Sequence, residues 1–252
     1  QSDRDRYKTE SSHVTDISHK RTKMDINREE QENQPSWVKI VINIVIHSLL
    51  FLFTAYVIYL SFSKGVILFS WHPALSTLGY VMFMTEAILT FSENNLLSRN
   101  RNFKWRVKLH WILQAVGGAC IALGTTTILA HKIINGKTHF KTNHAIVGLV
   151  TIILTVFVAA GGIWTKYSND LRQYLRPVRA KLIHAISGII LYILAVISLF
   201  LGMYSNFFER YSFSSAKWVG GFILILSGIY ILVNPMTTCV ARFKTALMRG
   251  NL

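Results

Sequence analysis

Four histidines in this chain stand where side-chain chemistry is possible. Asn143-His144-Ala145-Ile146-Val147-Gly148 and Ile183-His184-Ala185-Ile186-Ser187-Gly188 are two versions of one phrase. In both, a histidine opens a long apolar run and a glycine follows at i+4. On a helix i and i+4 share a face one turn apart, so each imidazole projects over a patch without a side chain. A flat, bulky ligand can be held close to a helix in this way. His72 is followed by Ser76 at i+4 and Gly79 at i+7, and His110 by Gly117 at i+7.

Positioning four such histidines takes long apolar helices. Of 252 residues, 51% are hydrophobic and only 15% charged, against about a quarter charged in an ordinary soluble domain. Residues 1–36 are polar, lack hydrophobic periodicity and read as a disordered tail. Six apolar stretches follow, near Val38–Phe62, Trp71–Phe91, Val107–Ala130, His144–Thr165, Leu182–Tyr204 and Ala216–Val233. Each is close to the ~20 residues of a bilayer span. The tryptophans (Trp37, Trp71, Trp105, Trp111, Trp164 and Trp218) fall at or near the ends of these stretches, where an interfacial aromatic belt belongs. The expected fold class is an all-α membrane protein of six transmembrane helices, with the second to fifth forming a central four-helix bundle. The membrane domain would cover residues 37–245, with a short C-terminal end at 246–252. The polar tail and the length of the first stretch argue against a secretory leader. Cys120 lies mid-stretch and Cys239 at an expected helix end, so the two should sit at different depths and stay unpaired.

The net charge of +15 would suit nucleic acid if it were concentrated, but the charges of the tail nearly cancel and the basic excess lies in short loops. All but six of the 27 lysines and arginines lie in the tail or in the segments on its side of the spans; the six are Lys64, Lys132, Lys137, Lys141, Arg210 and Lys217. By the positive-inside rule both termini are cytosolic. His72 and His144 then share a depth near the outer face, and His110 and His184 one near the cytosol. Each pair comes from two parallel helices separated by an antiparallel neighbour. Diagonal helices of a four-helix bundle can point both side chains at one central object. His47, alone in the first stretch, reads as an interhelical hydrogen-bond partner. Glu86, the single acid inside an apolar stretch, lies about 21 Å along the helix from His72. That puts it at the depth of the cytosolic pair, where Lys108 or a histidine's free ring nitrogen would partner it, or where it would make a plain interhelical hydrogen bond.

Zinc takes four ligands in structural sites and three in catalytic ones, whereas each pair here offers two. Two imidazoles over cleared space suit haem iron, whose axial positions accept nitrogen. With both positions filled no site is open to oxygen, and such a centre carries electrons. Cys-x-x-Cys-His is absent, so two non-covalent b haems are expected. In a hydrocarbon core about 30 Å thick the two irons would be roughly 15–20 Å apart.

Leu68-Phe69-Ser70-Trp71-His72-Pro73, Lys108-Leu109-His110-Trp111, Asn143-His144 and Lys181-Leu182-Ile183-His184 resemble the cytochrome b561 family, and more narrowly its short, domain-containing-protein-2-like animal branch. The resemblance runs from the first stretch to the end of the sixth. It implies a six-helix, di-haem membrane reductase that takes electrons from cytosolic ascorbate and passes them to monodehydroascorbate or ferric chelates across the membrane. It also implies an endomembrane vesicle, endoplasmic reticulum or lysosomal location, and a homodimer is compatible with it. Lys104 and Lys108 match lysines of the family's cytosolic ascorbate site. Arg176, Arg179 and Lys181 precede His184 and would complete a pocket for the anion. His131 falls where the family places an outer substrate-contacting histidine, and His139 is a second candidate there. Two other readings stay open on the residues alone. A quinol-linked b-type cytochrome would not be reduced by ascorbate, and a transporter or structural bundle with hydrogen-bonded histidines would purify colourless.

Overall fold

The computed structural model describes residues 37–92, 95 and 97–248; the expected disordered tail and the last residues of the chain lie outside them. Contacts divide the chain into Gln1–Val41 and Ile42–Leu252, and the packing below is that of the second part. Helix α1 covers Trp37–Phe62. A turn through Gly65, at φ +107°, and a 3-10 turn over Leu68–Ser70 lead into α2. This helix is three abutting segments, α-helical over Trp71–Thr77, π-helical over Leu78–Met84 and α-helical again over Thr85–Leu89. Then come α3 (Phe103–Ile134), α4 (Asn143–Lys166), α5 (Pro177–Gly202), the short α6 (Asn206–Tyr211) and α7 (Ala216–Met248).

Helix ends follow capping rather than hydropathy. The Asn102 side chain accepts from the Trp105 N–H, and Thr142 from Ala145; Pro177 opens α5. Consequently α3 and α5 begin before their apolar runs, with Lys104, Lys108, Arg179 and Lys181 already on helical backbone. The last apolar stretch ends at Val233, yet α7 passes through Pro235 and continues to Met248, so Cys239 lies inside it and not at a helix end. Thr237 donates to the carbonyls of Val233 and Asn234 beside the proline, the kind of local adjustment that lets membrane helices hold a proline. Both cysteines are free. The short α6 was not legible in the apolar pattern and rests on its cap, where Ser205 accepts from the Phe208 N–H.

Five helices, α1, α3, α4, α5 and α7, are long and apolar enough to cross a membrane. Large apolar side chains face outward along them, such as Phe157, 70% exposed, and Phe222, 67% exposed. Water would not tolerate such a surface, and lipid matches it. The chain is an integral, multi-pass membrane protein, and the described residues contain no strand.

On α1 the buried residues Ile46, Leu50, Phe53, Val57 and Leu60 alternate at three and four, which puts them in one stripe against the core. Helices α2 and α3 form one close hairpin, α4 and α5 another, and α7 lies along α5. The first hairpin is closed by glycine. A Cβ on Gly79 would come 2.9 Å from the Gly117 carbonyl oxygen, and one on Gly117 would come 3.2 Å from that of Gly79. These two glycines clear room for a neighbouring backbone, as small residues do in membrane helices, and not for a ligand as their spacing from His72 and His110 suggests. Across the hairpins, the Tyr80 hydroxyl bonds Thr155 at 3.1 Å and the Tyr192 hydroxyl bonds Thr85 at 3.2 Å. Around them lies the core of Val81, Met84, Ile121, Val158, Leu191 and Ala195.

Gly79→Ala is therefore expected to destabilise the detergent-solubilised protein by about 1–3 kcal/mol, because backbone must move to admit the methyl group. Gly118 faces open space, so Gly118→Ala should be neutral or stabilising by up to about 1 kcal/mol. Thermal unfolding of the two variants gives the comparison.

Candidate functional site

The structure brings the four histidines into two facing pairs. The ring centroids of His72 and His144 are 6.1 Å apart with planes at 66°, and those of His110 and His184 are 6.4 Å apart at 90°. Each pair joins one helix of the first hairpin to one of the second. A metal bound to both imidazoles at about 2 Å, with roughly 1 Å more from nitrogen to ring centre, sets centroids about 6 Å apart. Both gaps have that size. No group of three or more histidine, cysteine, aspartate or glutamate side chains that could hold a metal occurs among the described residues. The donor set is therefore two imidazoles per site, which suits iron whose remaining ligands come from a macrocycle and not zinc.

The rings are held from behind by backbone. Nδ1 of His72 donates to the Gly124 carbonyl at 3.0 Å, that of His110 to Ala87 at 2.8 Å, and that of His144 to Ser198 at 2.9 Å. A carbonyl only accepts, so Nδ1 carries the proton and Nε2 keeps its lone pair. Nδ1 of His184 is buried against the Val158 carbonyl but makes no hydrogen bond of good geometry.

The placement of ring and carbonyl is reciprocal within each hairpin, with the His184 bond alone unmade. Helix α3 supplies His110 and the carbonyl that holds His72, while α2 supplies His72 and the carbonyl that holds His110. Helices α4 and α5 repeat the arrangement with His144, Val158, His184 and Ser198. From histidine to carbonyl the step is 14 residues on α3, α4 and α5, about 21 Å of helix. On α2 the step from His72 to Ala87 is 15. The π-helical segment Leu78–Met84 lies inside that step, and a π-bulge absorbs one extra residue while keeping both ends on their faces.

Two glycines that the first-turn pattern misses shape the sites. A Cβ on Gly202 would lie 3.2 Å from Cε1 of His144, and one on Gly162 would lie 3.2 Å from Cε1 of His184. Each stands 18 residues, five helical turns, past the histidine of its own helix, so the sequence did hold the signal. Of the i+4 glycines, Gly188 faces open space and Gly148 meets only the Ser198 hydroxyl, at 3.5 Å.

At the end of the His110–His184 pair, Lys104, Lys108, Arg176 and Lys181 are exposed and Arg179 is half-buried. Phe91 packs on His110, with centroids 5.1 Å apart, and Lys166 stands over Trp111 at 4.7 Å. At the other end His131 lies beside Phe69, 5.6 Å between centroids, and its Nε2 is 3.4 Å from Nζ of Lys137. His139 instead packs on Phe140, 5.8 Å away, whose φ of +52° turns the loop. Glu86 meets a histidine ring nitrogen on another helix and not Lys108. Its partner is His47 of α1, with Oε1 2.5 Å from Nδ1, and His47 is the interhelical partner that its place in the first stretch suggests.

Comparison with known proteins gives a family match. The model for eukaryotic cytochrome b561 matches residues 71–209. The chain is 35% identical to the mouse (Mus musculus) protein named transmembrane reductase CYB561D2 over 181 residues, 71% of this chain and 80% of that protein. Its human (Homo sapiens) counterpart is 37% identical over 167 residues, 66% of this chain and 73% of that protein. Transmembrane ascorbate ferrireductase 2 of Arabidopsis thaliana is 27% identical over 186 residues, 68% of this chain and 76% of that protein.

A side chain added at Gly162 should push the His184 ring out of line with His110, and one at Gly202 should do the same to His144. Gly162→Val and Gly202→Val are each expected to alter the electron paramagnetic resonance signal of metal held at one pair and to spare the other. An unchanged spectrum in both would mean that these glycines do not seat the rings.

Proposed function

The chain belongs to the cytochrome b561 family, on its domain-containing-protein-2 branch, and from that premise we propose that it carries electrons from cytosolic ascorbate through two non-covalent b haems to monodehydroascorbate or a ferric chelate on the other side. The observation that carries this reading is the pair of imidazole gaps, each sized for one metal centre. The reductase names of the relatives support the reaction class, and the name of the plant relative supports ascorbate and ferric iron as substrates.

In this reading α2 is the sixth span, since its helical backbone continues from Trp71 to Leu89 through the π segment. The basic loops orient the chain with both termini in the cytosol. His110 and His184 then hold the cytosolic-side haem, and His72 and His144 the other. Held by these histidines, haem would supply one-electron redox chemistry.

The protein's own part is placement and electrostatics. The carbonyls of Gly124, Ala87 and Ser198 fix the tautomer and aim of three imidazoles, so a change of charge costs little rearrangement. Lys104, Lys108, Arg176 and Arg179 gather the ascorbate monoanion at the mouth of the cytosolic site. His131 at the end of α3 with Lys137, and His139 on the loop that follows, receive an anionic acceptor at the opposite face. Between the sites the core is apolar and tied by the two tyrosine–threonine bonds. That region keeps water and small reactants out while leaving the sites about 20 Å apart along the helices.

Purified protein should contain about two haems per chain, given two ligand pairs, and ascorbate should reduce them. A colourless preparation would end this reading, and haem that only a quinol reduces would replace it with the quinol-linked one. His110→Ala or His184→Ala should remove one haem signal, and His72→Ala or His144→Ala the other.

In proteoliposomes with ascorbate on the cytosolic face, Lys108→Ala is expected to slow haem reduction by roughly tenfold and to weaken its salt dependence, with haem content unchanged. His131→Ala should slow reduction of an external ferric chelate and leave reduction by ascorbate intact. The reverse pattern would invert the orientation of the chain.

A further inference from the structure

Outside the four-histidine bundle, the apolar layer holds one more cluster of ionisable and polar groups. His47 of α1 and Glu86 of α2 meet through Nδ1 and Oε1. Their other polar atoms, His47 Nε2 and Glu86 Oε2, are buried without hydrogen-bond partners. One turn before His47 the wholly buried Asn43 donates from Nδ2 to the Tyr230 hydroxyl of α7 at 3.3 Å, and its Oδ1 is unpaired. Helices α1 and α7 run antiparallel, since Asn43 meets Tyr230 while Phe53 lies against Gly220. Ser227, one turn from Tyr230, is thus level with His47, and its buried hydroxyl also lacks a partner. Buried polar groups are costly unless paired, and four unpaired atoms on three helices are more than one interhelical tether needs. Their mixture of donors and acceptors suits a mobile proton.

The dyad is also wired to the cytosolic-side pair. The residue after Glu86 is Ala87, whose carbonyl accepts from His110 Nδ1. The residue before it is Thr85, bonded to Tyr192 of α5. On the elements packed around the dyad, the ionisable groups that these contacts bring to it are Tyr230 on α7, Tyr192 on α5 and His110 on α3.

We propose that the His47–Glu86 dyad is a proton-binding site coupled to electron occupancy of the His110–His184 site, holding one proton when that site is oxidised and two when it is reduced. This rests on the haem reading above. One electron entering the site adds a negative charge to a low-dielectric layer, and one proton entering the dyad from the cytosolic side cancels it. When the electron moves on to the His72–His144 site, the proton returns to the cytosol. One-electron oxidation of the ascorbate monoanion releases one electron and one proton, so the balance closes at the cytosolic face.

The test is a spectroscopic redox titration of the purified holoprotein at a series of pH values, with haem content measured on the same sample. The component lost in His110→Ala is expected to shift tenfold in its equilibrium per pH unit, about 59 mV for one electron and one proton, over the part of the series in which proton uptake accompanies reduction. The component lost in His144→Ala should lack that slope. Glu86→Gln keeps the size of the side chain but removes the ionisable group, and should flatten the slope of the first component alone. Should that variant fail to assemble, His47→Gln makes the same claim. A flat profile in the unmodified protein, or an equal slope in an assembled variant, overturns the proposal and leaves the haem reading standing. A sample without haem overturns both.

Discussion

The structure depends on keeping two imidazoles across from one another with a gap sized for one metal centre, twice, in a layer where no water is present to correct a misplaced polar group. A histidine on a membrane helix has many ways to satisfy itself. Here three of the four give their Nδ1 proton to a carbonyl of the adjacent helix, which leaves Nε2 with its lone pair. The donor is local to one helix and the acceptor to another, so the ring is correctly placed only if the hairpin is correctly packed. Chemistry and fold are specified by the same contacts.

That dependence accounts for the uneven packing of the bundle. Within a hairpin the helices approach until backbone meets backbone, at Gly79 and Gly117, because the carbonyl must reach the imidazole of its neighbour. Between hairpins the two tyrosine–threonine bonds hold the middle, and space is kept near the histidine pairs, as the bare surroundings of Gly188 illustrate. The outer faces are left apolar because lipid, not protein, covers them. Stability comes from close interhelical packing and satisfied polar groups, the terms available where burial from water no longer discriminates one helix face from another.

Charge is divided along the same axis. Lysines and arginines crowd the end that holds His110 and His184, while the other end carries a sparser group around His131 and Lys137. Between them the spans hold one carboxylate, Glu86, and it is partnered by the histidine of α1. An isolated carboxylate in an apolar layer would be strongly disfavoured. The contact with His47 makes it tolerable and gives α1 a polar tie to the bundle in addition to its apolar stripe.

The sequence by itself determined the class of protein, the helices that form it, the four paired histidines and their depth matching. Those properties are local or periodic: apolar length, tryptophan and lysine placement, and a histidine at each helix start can be read without knowing what touches what. It also held the 14-residue and 18-residue steps that recur on the histidine-bearing helices, because a helix converts spacing into depth and face. Tertiary structure decided what spacing cannot express. Gly79 and Gly117 look like ligand clearance in sequence and are backbone contacts in space, since a missing side chain does not say which neighbour fills the gap. The extra residue between His72 and Ala87 becomes a π segment because α2 must meet α3 at both ends, a demand that α2 alone does not contain. Glu86 found His47 rather than Lys108 because α1 packs where Lys108 does not reach, and only the arrangement of three separate helices could settle that choice.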